Sequence, residues 1–263
     1  MANQKKIIVA NWKMNPSSVL EAKSLFSVVC RAARRLRKTQ VVVCPPSLFL
    51  GDVRKSISQK CSIGAQDVSS RSVLSGVGAY TGEISSVMLA SLGIAHVIVG
   101  HSERRASGEA DEIVNRKLLG ALRAGLTPIL CIGEGVRDKE GEYLHFLRNQ
   151  IAGSLGRIKR AQVSKIIIAY EPIWAIGKNA ERVDTPDELF ETTIFIRKIL
   201  GESYGRSVAM TVPIVYGGSV DEKNAEALLT HGGVRGFLVG RASLNAKAFI
   251  EIMKITERSS AKH

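Results

Sequence analysis

The chain has 263 residues, 45% of them hydrophobic and 23% charged, a globular balance that excludes a disordered polymer lacking the apolar surface to offset its ordering entropy. No run approaches the roughly 18 apolar residues that span a bilayer, and the apolar run from Ile7 to Ala10 is too short for a secretory signal, so a cytoplasmic protein with no membrane partner is expected. Lys and Arg number 37 against 24 Asp and Glu, a formal charge of +13. That favours anionic ligands, but no aromatic interleaving, zinc knuckle or nucleic-acid module accompanies it, and no nucleic acid is expected.

In chain order, short apolar runs alternate with segments of helical period. A strand over 7–11 leads to a helix over 17–38, with Val19, Leu20, Leu25, Val28, Val29 and Leu36 on one face. Arg31, Arg34, Arg35 and Lys38 recur at helical spacing in the same segment and read as one solvated basic stripe. Strands over 41–44, 62–66 and 96–100 precede a helix over 111–124, and strands over 128–132 and 166–170 follow. The helix over 185–200 opens on Thr185-Pro186-Asp187-Glu188, an N-cap, an N1 proline and an acidic first turn. Strands over 212–216 and 237–239 and a helix over 245–256 complete the chain.

Such alternation requires parallel pairing, and strands that are apolar throughout are covered on both faces. Eight units in this length give an α/β fold, a (β/α)8 TIM barrel of eight parallel strands ringed by helices, as a single domain over 1–263. A doubly wound sheet is the competing architecture, and its Gly-rich fingerprint after an early strand is missing. Cys30, Cys44, Cys61 and Cys131 are widely spaced and form no CxxC, so they are expected as buried reduced thiols. The His residues make no HxH or HExxH, and no metal is expected.

Barrel active sites lie at the C-terminal ends of the strands. Asn11, Trp12 and Lys13 stand there after the first strand, and His101, Ser102 and Glu103 after the fourth. Glu171 ends the sixth, Gly217-Gly218-Ser219 the seventh, and Gly240-Arg241 the eighth. A carboxylate at the mouth of an apolar barrel is desolvated, which makes it a stronger base. If Ser102 caps a helical turn, the backbone N–H groups there disfavour a positive imidazolium at His101. Lys13 supplies a fixed charge and Asn11 an amide. Glycine-rich turns after the last two strands suit a phosphate held by main-chain N–H groups. The stretch 172–186, with Trp174 and Gly177, is long enough for a lid. Together these groups point to proton transfer beside a carbonyl on a phosphorylated substrate. A different barrel enzyme would share the terminal glycines without needing Lys13, His101 and Glu171 together, and a basic binding protein would rest on the charge alone.

Six strings in register extend this reading: Asn11-Trp12-Lys13-Met14-Asn15, Gly78-Ala79-Tyr80-Thr81-Gly82-Glu83-Ile84-Ser85, Gly100-His101-Ser102-Glu103-Arg104-Arg105, Cys131-Ile132-Gly133-Glu134, Ala169-Tyr170-Glu171-Pro172-Ile173-Trp174-Ala175-Ile176-Gly177 and Tyr216-Gly217-Gly218-Ser219-Val220. Through them the chain resembles the triosephosphate isomerase family over essentially its whole length. The resemblance implies interconversion of dihydroxyacetone phosphate and glyceraldehyde 3-phosphate with no cofactor. It makes Glu171 the base, a neutral His101 the proton shuttle and Lys13 the charge stabiliser. Asn11 orients substrate, Glu103 supports Lys13 and His101, and N–H groups of Gly177, Ser219, Gly240 and Arg241 hold the phosphate. It also implies a homodimer in which the loop around Thr81 inserts into the partner.

Three departures accompany the resemblance. Arg241 stands where the family usually has a second glycine, and would be strained at positive φ. It is expected to keep the backbone contact, with its side chain away from or along the edge of the phosphate. The lid is about two residues longer than usual, within ordinary loop variation. The segment 67–78 in the dimer loop is also extended, which allows altered subunit packing.

Overall fold

A computed structural model describes residues 5–55, 61–73, 76–176, 182 and 184–259. Eight strands close into one barrel in sequence order: β1 (Lys6–Asn11), β2 (Thr39–Cys44), β3 (Cys61–Ala65), β4 (His96–Val99), β5 (Thr127–Ile132), β6 (Ile167–Tyr170), β7 (Ile214–Tyr216) and β8 (Gly236–Val239). Every neighbouring pair is parallel, and closure is made by β1 against β8, with Val9 opposite Leu238. Among the described residues the helices are α1 (Val19–Ala33), α2 (Leu50–Arg54), α3 (Ser86–Ser91), α4 (Ser102–Ala106), α5 (Asp111–Arg123), α6 (Glu142–Leu155), α7 (Arg160–Val163), α8 (Pro186–Tyr204), α9 (Arg206–Thr211), α10 (Ala225–His231) and α11 (Ala246–Arg258). The expected (β/α)8 barrel is the observed fold.

The period of two along each strand divides the apolar residues between two cores. Ile7, Val9, Val42, Ile98, Ile129, Ile167, Val215 and Leu238 fill the barrel. Their neighbours Ile8, Val41, Val43, Val97 and Val99 face outward and pack with Phe26, Leu118, Leu147 and Phe249 of the helices. Burial on both faces is why the strands read as unbroken apolar runs.

The start of α8 is built as its sequence expects. The Thr185 hydroxyl accepts from the Glu188 N–H at 3.2 Å, and the Glu188 carboxylate accepts from the Thr185 N–H at 3.3 Å. Arg182 forks onto the same carboxylate at 2.6 and 2.7 Å. That pair, with the Thr185 contacts, holds the Glu188 carboxyl down at about 2.

Two expectations are corrected. Cys30 and Cys61 are not free thiols: they form a disulfide, Cα atoms 5.4 Å apart, tying α1 to β3. Cys44 and Cys131 are free and buried. The basic residues also do not form one helical stripe. α1 ends at Ala33, and Arg34, Arg35 and Lys38 lie in the turn entering β2. There the N–H groups of Arg37 and Lys38 donate to the Glu257 carboxylate of α11 at 2.8 and 3.0 Å. Arg31, Arg34, Arg35 and Lys38 are all exposed, as a solvated face requires.

Candidate active site

β1 carries the chain to Asn11 and the fully buried Trp12. Lys13 then adopts φ +52°, the left-handed region, which costs a residue with a Cβ about 1 kcal/mol or more. Two contacts hold it there. The Asn11 side-chain oxygen accepts from the Lys13 N–H at 3.1 Å, and the Gln66 amide donates to the carbonyls of Lys13 and Cys44 at 2.8 and 2.9 Å. The Lys13 ammonium reaches Glu103 at 2.6 Å. Partial burial works against ionisation of Glu103, but the bond and charge of Lys13 hold its carboxyl below the usual range.

β4 delivers His101 to the same pole, and here the structure corrects the expected cap. His101, not Ser102, is the N-cap of α4: its Nδ1 accepts from the Glu103 N–H at 3.2 Å. A ring nitrogen that accepts carries no proton, so in the neutral ring the hydrogen sits on Nε2. Nε2 faces Glu171 Oε1 at 3.4 Å. The other Glu171 oxygen accepts from the Ser102 N–H at 3.2 Å.

Glu171 follows β6 and is 3% exposed. Two glycines permit its position. A Cβ on Gly217 would lie 2.6 Å from Glu171 Cγ, and one on Gly133 would lie 1.8 Å from the Glu171 carbonyl oxygen. Beneath it, burial and then the Glu171 carboxylate push the Cys131 thiol well above its ordinary range, so Cys131 stays a neutral packing group.

A cavity of about 590 Å³ opens at this pole. Asn11, Lys13, His101, Glu171, Ser219, Gly240 and Arg241 all line it. Glu103 is outside the lining and acts on it through Lys13. Gly177 lies outside the described residues. Arg241 is not among the non-glycine residues with positive φ, so the strain considered for it is absent. The cavity is also lined by Asn15, Asp221 and Asn245, which the strand-end reading does not reach.

The model of a protein family described as triosephosphate isomerase matches residues 6–256. The chain belongs to the triosephosphate isomerase family. The triosephosphate isomerase of Alkalilimnicola ehrlichii is 40% identical over 95% of this chain and 98% of its own length. One from Dehalococcoides mccartyi is 41% identical over 98% of both chains, and one from Moorella thermoacetica is 40% identical over 95% and 98%. The protein is an isomerase that interconverts dihydroxyacetone phosphate and D-glyceraldehyde 3-phosphate, a step of glycolysis.

In this member of the family the segment after Glu171 is anchored by a group with no role assigned from sequence. Glu134, 1% exposed, accepts from Tyr170 Oη and Trp174 Nε1, each at 2.8 Å. Its carbonyl accepts from the Ile173 N–H at 2.9 Å. The Ser219 hydroxyl donates to the Ala175 carbonyl at 2.9 Å. The first turn of the expected lid is therefore pinned to the segments after β5 and after β7. Of the rest, 177–181 and 183 lie outside the described residues. No described helix is long and apolar enough to cross a membrane.

Proposed function

We propose that Glu171 is the base of the isomerisation, His101 its proton shuttle and Lys13 its electrostatic stabiliser. The reading is supported above all by one convergence: groups from β1, β4 and β6, far apart in sequence, border a single cavity. Glu171 takes a proton from the carbon beside the carbonyl, and the electron pair moves onto the carbonyl oxygen. The Nε2–H of His101 donates to that oxygen and the ring then recovers a proton from the neighbouring hydroxyl. Glu171 returns its proton to the former carbonyl carbon. One proton changes carbon and one changes oxygen with no net redox change, so the chemistry calls for no cofactor. Lys13 opposes the negative charge of the enediolate, and Glu103 fixes its ammonium. Asn11 orients substrate. The N–H groups of Ser219, Gly240 and Arg241, with Gly177 from the lid, hold the phosphate, and the lid over 172–186 excludes water that would otherwise let the intermediate lose phosphate. Replacement of His101 by Asn lowers kcat about 10²–10³-fold with KM changed little, measured by coupled assay of triose phosphate interconversion. Unchanged turnover removes His101 as the shuttle.

The protein acts as a cytoplasmic homodimer. Exposed apolar side chains gather after the first strands: Met14 at 94%, Leu48 at 81%, Val77 at 61%, with Val87 and Met88 on α3. The loop that carries Thr81 is braced by the Ser69 N–H donating to Ile84 O at 2.8 Å and by Arg71 over the Tyr80 ring. Thr81 is exposed on it, as insertion beside the partner subunit's Asn11 and Lys13 requires. A charge at Met14 should split such an interface. Met14→Glu is expected to sediment at the mass of one chain and to lose at least about tenfold in turnover, because a misplaced catalytic group is costly. A variant that stays dimeric and active excludes this face.

A further inference from the structure

We infer that the side chain of Arg241, and not its main-chain N–H alone, is a substrate-selecting group, capturing the dianionic end of the substrate by charge. The inference rests on the proposed phosphate cradle at Ser219 and Gly240 and assigns to this chain a cation that the two-glycine pattern of its family lacks.

β8 ends at Val239, and Gly240 leads into a short 3₁₀ turn, Arg241–Leu244. The turn is pinned from inside: the Ser243 N–H and hydroxyl both donate to the Gly240 carbonyl, at 2.9 and 2.6 Å, and Ser243 is fully buried. The Cα of Arg241 is thus fixed at the cavity rim, next to a glycine that lies against the Lys13 side chain. The guanidinium is not fixed. Arg241 is exposed, and among the described residues it forms no hydrogen bond or ion pair.

The charges of the lining give that cation its purpose. Glu171 and Asp221 are acidic, and Lys13 and Arg241 are the basic members among the described residues. Lys13 is already paired with Glu103 at 2.6 Å. The Asp221 carboxylate is occupied by the N–H groups of Lys223 and Asn224, at 2.8 and 3.0 Å. Without Arg241 the walls carry an excess of negative charge, which a phosphate dianion must approach. With it the two signs balance, and the unpaired one is a guanidinium, whose planar fork matches two phosphate oxygens. A cation of this kind acts on encounter and binding, because it is equally attractive to the phosphate in the ground state and in the transition state. Its signature is therefore a KM effect without a kcat effect, erased by salt. The same charge favours a phosphorylated triose over its unphosphorylated counterpart.

The test uses the whole enzyme with dihydroxyacetone phosphate as substrate and inorganic phosphate as competing probe, in wild type, Arg241→Gln and Arg241→Lys. At low ionic strength Arg241→Gln is expected to raise KM and the inhibition constant of phosphate about fivefold to tenfold, the range of one charge-assisted contact at a partly exposed site, with kcat within about twofold. At about 1 M salt, where the screening length falls to about 3 Å, that difference closes. Arg241→Lys keeps the charge without the fork and recovers part of the loss. Two results overturn the inference while leaving the cradle standing: phosphate competes equally in all three proteins at every salt, or Arg241→Gln loses kcat with KM unchanged. If phosphate fails to compete even in wild type, the cradle falls and the inference with it.

Discussion

Glu171→Gln is expected to lower kcat by about 10³–10⁴-fold, the scale of a positioned general base, while the protein folds and melts as wild type within about 1 kcal/mol. The substitution keeps the side-chain volume that Gly217 accommodates, with Cγ 2.6 Å from where a Cβ on that glycine would stand. Its amide oxygen still accepts from the Ser102 N–H that now meets Glu171 Oε2 at 3.2 Å. What it removes is the proton acceptor. Because a base acts in the transition state and contributes little to holding substrate, KM should change far less than kcat. A urea melt beside the coupled assay separates the two effects. Turnover near wild type in a folded variant would remove Glu171 as the base.

The barrel is legible in the sequence because each strand is buried on two sides. A run such as Ile7–Ala10 or Ile167–Tyr170 has no polar face to blur it, and all eight observed strands overlap the expected ones. The start of α8 is legible because capping is local chemistry: Thr185, Pro186 and Glu188 make the cap with one another. Features set by distant partners are not. The spacing of Cys30 and Cys61 carries no signal of the disulfide that joins them across α1 and β3. The apolar pattern continues to Leu36, yet α1 stops at Ala33, and α11 supplies the carboxylate of Glu257 that receives the N–H groups of Arg37 and Lys38. In the site, strand ends expose Asn11, His101 and Glu171. The work of Gln66 and Glu134 is set in three dimensions, since each braces a segment far from it in sequence. Gln66 carries one weak signal, its place at the end of the third predicted strand.

Asp184→Asn is expected to stabilise the protein by about 2–4 kcal/mol at pH 8 and to leave it nearly unchanged below about pH 4. Asp184 lies two residues before α8, is 3% exposed, and neither carboxylate oxygen has a hydrogen-bond partner among the described residues. Burial, and then the neighbouring Glu188 carboxylate with a smaller contribution from Glu134, push its carboxyl up to about 7. Arg137 and Arg182 pull the other way but do not prevail. Arg182 already forks onto Glu188, and Arg137 is shared with Glu191 and Thr192. In the unfolded chain this carboxyl ionises near its ordinary value of 3.8. Between the two values the folded protein holds a proton that the unfolded chain has released. Stability therefore falls as pH rises from about 4 to about 7 and is level above that, with a slope of at most about 1.4 kcal/mol per pH unit from this group. Asparagine has the shape of the protonated acid and does not titrate, so the variant escapes the fall. Urea unfolding of both proteins at about pH 4 and at pH 8 reads the difference directly. Parallel curves at the two pH values would mean that Asp184 is ionised at little cost in the fold, and that the acidic cluster of Glu134, Asp184 and Glu188 is better solvated than its burial indicates.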